Sequence, residues 1–320
     1  MLVLIEKSRD VIKKESPARF YAALMLLSSL LVSTSFIVGE LITHQIDPLL
    51  LTFIRFAVGG TILGLIVVLR GEFFFSVSLL LRAAIISSCL VIFFWSMFLA
   101  LRYTSALNTS VTFALTPLFS AIYSLLLLQE SFKFKRFAAL IYGGLGALWV
   151  LFQGDIGNFA AMSWNRGDLI FLGGCAAMGF YAPLIKLLHE GESMLLMTFW
   201  VLITGGAVLL LFSIPILVEF QPAQLQTSTW LWVLYLSTVT TVITFYLVQL
   251  SIPYLGPVKV TSYSYLYPAL VLGLELVLGY GLPEFAVWPG VIIVVSAMFF
   301  IRDDAGNTTA SLPQVRRGQG

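Results

Sequence analysis

Three polar side chains in one long apolar run, Asn108, Thr112 and Thr116, fall at i, i+4 and i+8. That spacing puts them on one face of a helix. An offset of 151 residues carries them onto Lys259, Tyr263 and Tyr267, and each stripe ends against a proline, Pro117 or Pro268. Arg55 is a charge inside another apolar run, and Glu40 and Glu275 stand near the ends of two more. Such groups can recognise a small polar molecule by hydrogen bonds and charge. They do not make a reaction centre. His44 and His189 lie far apart, the acids are scattered, and neither a nucleophile–base arrangement nor a Walker-type phosphate loop is present. Cys89 and Cys175 sit in separate apolar runs and suggest neither a disulfide framework nor a metal site. No enzyme activity, cofactor or metal is expected.

The elements that must position these residues follow from composition. The 320 residues are 59% hydrophobic and 11% charged, with a mean hydropathy of +0.97. A soluble chain carries roughly 25% charged residues, so water cannot be the solvent for most of this surface. The net charge of +2, with no basic block, gives no sign of nucleic-acid binding. Ten apolar runs are long enough to cross the hydrocarbon as helices. They lie at about 20–41, 49–69, 83–101, 106–128, 136–152, 169–188, 194–217, 230–250, 257–278 and 285–301. None alternates polar and apolar as a barrel strand would. The first run follows a charged stretch (Glu6 to Arg19) and is read as a retained helix, not a cleaved signal.

Lys and Arg set the orientation. With the N-terminus in the cytoplasm, the inner segments hold Lys7, Arg9, Lys13, Lys14, Arg19, Arg70, Arg82, Lys133, Lys135, Arg136, Lys186, Arg302, Arg316 and Arg317. The outer segments hold only Arg102 and Arg166. Both termini are therefore expected inside, with residues 1–19 as a cytoplasmic segment and residues 302–320 as a disordered polar tail.

The chain also repeats itself. At an offset of 146, Thr52-Phe53 superposes on Thr198-Phe199 and Gly59-Gly60 on Gly205-Gly206. At an offset of 151, Phe94 falls on Phe245, Tyr103 on Tyr254 and Pro117 on Pro268. Five helices per half is an odd number, so the second half must enter from the opposite side. The expected architecture is all-α, with ten transmembrane helices in two inverted five-helix repeats, 20–153 and 168–301. Inverted repeats place a substrate at their interface near the bilayer midplane.

Particular motifs carry a family resemblance across residues 20–301. Asp47-Pro48 followed by Ile54-Arg55-Phe56, the link Ala100-Leu101-Arg102-Tyr103-Thr104-Ser105-Ala106, the segment Thr116-Pro117-Leu118, and Leu128-Gln129-Glu130 before a glycine-bearing helix (Gly143, Gly144, Gly146) resemble the EamA family of the drug/metabolite transporter superfamily. In the second half Glu130 maps to Gly281 and Arg55 to Val201, and Val32 stands where the family has a tryptophan. The resemblance implies a ten-helix carrier with a central cavity, of a kind that handles amino acids, other metabolites and amphiphiles, often outward.

The expected function is a secondary transporter in the inner (plasma) membrane that moves an amino acid or related amphiphile by alternating access. A channel or scaffold without translocation is the alternative. Arg55, Trp95, Asn108, Thr112, Thr116, Tyr246, Tyr263 and Tyr267 are the candidate substrate contacts, with Pro117 and Pro268 as kinks. Each polar residue could instead join helices by hydrogen bonds. Arg55, roughly 10 Å into the membrane, is expected to pair with Glu40 or Glu275, forming a gate or receiving a carboxylate. Lys259 either snorkels to the cytosol or gives the inner mouth positive charge. Glu130 is read as a local cap or partner in a basic link. Lipid and a small-molecule substrate are the expected partners, with a coupling proton and a second copy of the chain left open.

Overall fold

The computed structural model describes residues 2–129, 134–157, 165–281 and 283–303. Its elements are helices, and no strand occurs among the described residues. Eight are long and apolar enough to cross a membrane, and two shorter apolar stretches, Phe137–Leu151 and Phe285–Met298, complete the series. We label the series α1 (Leu2–Ile42), α2 (Pro48–Leu69), α3 (Val77–Ala100), α4 (Ala106–Leu128), α5 (Phe134–Leu151), α6 (Arg166–Leu188), α7 (Met194–Glu219), α8 (Thr227–Leu255), α9 (Pro257–Val277) and α10 (Trp288–Asp303). Residues 2–19 are helical and lead into the first candidate span, Arg19–Ile42. The expected tail beyond residue 303, and Glu130, lie outside the described residues.

Several short links supply a side-chain acceptor for the unpaired first-turn N–H groups of the helix they start. Asp47 takes Leu49 N–H at 2.8 Å ahead of Pro48, whose missing N–H costs nothing there. Its counterpart at the 146-residue offset, Ser193, does the same for Leu196 at 3.2 Å. Ser76, Ser105 and Asn165 cap α3, α4 and α6.

The packing reproduces the internal repeat. Exchanging each helix with the one five places along leaves the set of main neighbours unchanged. α2 packs on α7, α4 on α9 and α5 on α10, while α3–α6 corresponds to α8–α1, and α4–α6 to α9–α1. The α5–α10 seam is a close approach. A Cβ on Gly146 would lie 2.5 Å from Ile293 and 2.9 Å from the Gly290 carbonyl oxygen. Small residues of this kind let backbones touch where no hydrophobic force drives helices together.

α4 and α9 are each interrupted just ahead of a proline. α4 stops at Phe113 and restarts at Thr116, one residue before Pro117. Ala114 and Leu115 bridge the gap with tightened bonds to Val111 and Thr112 at 3.0 Å each. α9 is interrupted by a 3-10 turn, Tyr263–Leu266, and restarts at Tyr267 before Pro268. Proline cannot donate to the carbonyl four residues back and its ring crowds it, which explains a break in each helix at the same repeat position. α8 carries a third irregularity, a π-helical turn at Thr238–Ile243 that nothing in the sequence announced.

Candidate functional site

α4 presents a polar stripe longer than the three residues first singled out. Ser120 and Ser124 extend Asn108, Thr112 and Thr116 at the same four-residue spacing. Thr116, Ser120 and Ser124 are each at most 1% exposed, inside the protein. Many helical hydroxyls in the chain donate to a carbonyl one turn back, as Thr112 does to Asn108 at 2.8 Å, although Ser28, Ser213 and Ser264 do not. Thr116, Ser120 and Ser124 do not, and no hydrogen-bond partner of ordinary geometry serves them, although Thr116 lies beside the Cys175 thiol. Buried polar atoms without partners are uncommon and expensive. The signal for Ser120 and Ser124 was legible in the sequence, because the i+4 count simply continues past Pro117.

The stripe begins at a cleft of about 480 Å³ between the end of α1, the α3–α4 link and the start of α6. Glu40, His44, Arg102, Ser105, Asn108 and Asn165 are among its lining residues. Glu40 is held there by accepting the Ala106 N–H at 3.1 Å, which fastens the short first piece of α4 to α1. Arg102 donates to the carbonyls of Thr43 at 2.9 Å and Ile46 at 3.2 Å, and Thr104 donates to Asp168 at 2.7 Å. The cleft is therefore lined by hydrogen-bonding groups that already have rigid supports.

Below the cleft an aromatic cluster fills the centre. Tyr267 stacks on Phe113 with centroids 5.2 Å apart and planes within 5°, and Phe36 packs against both at 6.0 and 6.2 Å. Phe93 and Phe171 complete it. Tyr267 is thus placed inside, at the level of both helix breaks.

At the opposite face Arg82 ties α3 to the link between α6 and α7. Its Nη1 donates to the Leu188 carbonyl at 2.5 Å and to Glu192 Oε1 at 2.8 Å, and its Nη2 reaches Glu190 at 3.1 Å. Arg82 and Glu192 are 12% and 10% exposed, whereas Glu190 is 64% exposed and adds little.

Arg55 sits apart from this stripe, between α2, α3 and α8, and is 1% exposed. The expected ion pair with Glu40 or Glu275 is not formed. Nε donates to Thr241 Oγ1 at 3.1 Å, and Nη2 donates to Thr241 and Thr240 at 2.9 and 3.2 Å. The guanidinium carbon lies 4.3 Å from the Phe94 ring centroid and 5.1 Å from that of Phe98. Glu40 instead accepts the Ala106 N–H beside the cleft. The long Arg55 side chain reaches across to the π-helical turn of α8.

Trp95 also departs from expectation. It is 42% exposed, on a stripe with Leu81, Ile85, Ser88 and Ile92 that faces away from the protein. Tyr246 is partly buried, Tyr263 is buried with its carbonyl near Ser29 Oγ at 3.5 Å, and Lys259 is half-buried in the first turn of α9.

Residues 19–152 and 165–302 each match the EamA-like transporter family. The chain belongs to that family. A curated relative, an uncharacterized transporter from Bacillus subtilis (strain 168) called YyaM, is 22% identical over 201 residues, 63% of this chain. The chain spans 66% of that protein's length. A protein crystal structure superposes with a TM-score of 0.63 at 20% identity, covering 88% of this chain and 96% of the other, which shows a shared fold. Family membership agrees with the duplicated helix packing and with the resemblance read from the Asp47-Pro48 and Thr116-Pro117 motifs.

Proposed function

We propose that the protein is a secondary carrier that moves a small metabolite along the α4 stripe by alternating access. The observation that carries the reading is the row of buried, partnerless hydroxyls at Thr116, Ser120 and Ser124, continuous with a polar cleft at Asn108. A path wetted in another state supplies water or cargo as partner to those groups. In this reading the aromatic cluster at Tyr267 and the Arg82 clamp close the route on one side.

In this reading α1–α5 and α6–α10 are inverted repeats giving ten crossings, with both termini cytoplasmic and the cleft open to the outside. The Lys and Arg bias supports that orientation, and the family supports the plasma (inner) membrane as the location. Repeats of this kind rock about a site near the midplane, and the paired breaks before Pro117 and Pro268 are the hinges. The cargo is an amino acid or related amphiphile, moved outward. Asn108, Thr112, Thr116, Tyr263 and Tyr267 line its route, with Lys259 at the inner mouth and Glu40 and Glu275 at the outer one.

The test is flux of labelled amino acids, and of a labelled amphiphilic cation, in proteoliposomes with and without a pH gradient. Thr116→Val and Ser120→Ala, nearly isosteric, should cut flux at least about tenfold while expression and folding persist. Unchanged flux in both variants would remove the stripe from the mechanism, and indifference to the pH gradient would remove the proton.

A further inference from the structure

We infer that the guanidinium of Arg55 is an anion site, and that the class of ligand it takes is a carboxylate borne by the cargo. The inference rests on the carrier reading only for how the ligand arrives. The site itself is defined by what surrounds the charge. Two of the three guanidinium nitrogens are occupied, and by neutral groups alone: the hydroxyls of Thr240 and Thr241. Both hydroxyls in turn donate to one carbonyl, that of Leu236, at 3.0 and 2.8 Å. The third nitrogen, Nη1, is buried and has no partner. Among the described residues no carboxylate stands within ion-pair distance of it.

This arrangement differs from a structural arginine. Buried arginines are ordinarily neutralised, because a lone charge in a low-dielectric interior is costly and removal from water is recovered only by an opposite charge. Here the surroundings are hydroxyls and the faces of Phe94 and Phe98, which stabilise a cation without cancelling it. The acceptors come from the π-helical turn Thr238–Ile243, where the extra residue allows Thr241 to bond the carbonyl five residues back while it faces Arg55. Such turns recur at functional sites. The guanidinium also bridges the repeats, since Arg55 belongs to α2 and its acceptors to α8, and the repeat partner of Arg55 is Val201. The site is therefore single, with one positive charge and one free nitrogen, Nη1. A carboxylate oxygen matches it by a charge-assisted N–H···O bond.

Two sources could supply the anion: a cargo carboxylate or an inorganic ion from solution. They separate in a binding assay on the purified full chain in detergent. The probes are L-leucine, L-phenylalanine and sodium acetate, against leucinamide, phenylalaninamide and sodium chloride at matched ionic strength. The thermal midpoint should rise by roughly 3 °C at ten times Kd with a carboxylate, and not with the amides or chloride. Arg55→Gln should abolish the shift. Thr241→Val, which frees Nε from its hydroxyl, should lower the half-saturating carboxylate concentration about threefold or more. That gain is opposite to what a structural arginine predicts, so it decides the matter even where Arg55→Gln fails to fold. Equal shifts with chloride, no carboxylate shift, or a shift that survives Arg55→Gln would each overturn the proposal. Proteoliposome flux is scored separately: flux without carboxylate stabilisation removes the anion site and leaves the carrier, and stabilisation without flux does the reverse.

Discussion

Arg82 offers the sharpest test of whether the closed face is one state of an alternating carrier. Arg82→Ala removes a charge-assisted bond to Glu192, an additional one to the Leu188 carbonyl, and the outlying contact with Glu190. Hydrogen bonds to charged groups contribute about 1.5–3 kcal/mol each when shielded. The Glu190 contact, made to a largely exposed carboxylate, is set near zero. Discounting for residual solvent at Arg82, the clamp stabilises this closed face by roughly 2 kcal/mol. If the clamp exists only in that state, its loss shifts the equilibrium toward opening by about thirtyfold, since each 1.4 kcal/mol is a factor of ten. The reporter is Ser124→Cys, fully buried on the closed half of the α4 stripe, in a background with Cys89 and Cys175 replaced by alanine. The rate of labelling by a membrane-impermeant thiol reagent from the α3 N-terminal face should rise by one to two orders of magnitude in Arg82→Ala. An unchanged rate, with the protein folded, would refute the idea that the clamp separates two states.

Other substitutions report on other parts of the argument. Gly146→Val forces a side chain to within 2.5 Å of Ile293 and against the Gly290 carbonyl, so it should cost about 1–3 kcal/mol and lower the thermal midpoint by several degrees. Trp95→Ala should leave flux within about twofold of wild type, because that ring lies on the outward stripe with Ile85 and Ile92; a tenfold loss would restore it to the pathway. Asn108→Cys, at the cleft, should react with an impermeant thiol reagent from the face on which α1 ends, without any clamp mutation, and protection there would mean that the cleft is closed.

Much of this protein was decided by one-dimensional information. Apolar run length and the scarcity of charge require helices in lipid, because no other way of satisfying the backbone survives there. The i+4 spacing of Asn108, Thr112 and Thr116 determined that they share a face, and Pro117 and Pro268 determined where α4 and α9 break, since ring geometry and a missing N–H are local facts. The shared offsets made the pairing of repeats readable before any contact was known. What a sequence pattern cannot supply is which distant group a long side chain meets. Arg55 was conspicuous in its apolar run, but its union with the threonines of α8 depends on the packing of α2 against α8 and on a π turn that shifts the register of Thr241. Trp95 stood mid-run like the pathway aromatics, and only its rotational position on α3 sends it outward. The Arg82 clamp joins residues more than a hundred positions apart. Local chemistry sets what each helix is; which face meets which neighbour is a property of the whole packed bundle, and that is where Arg82 and the buried Arg55 acquire their partners.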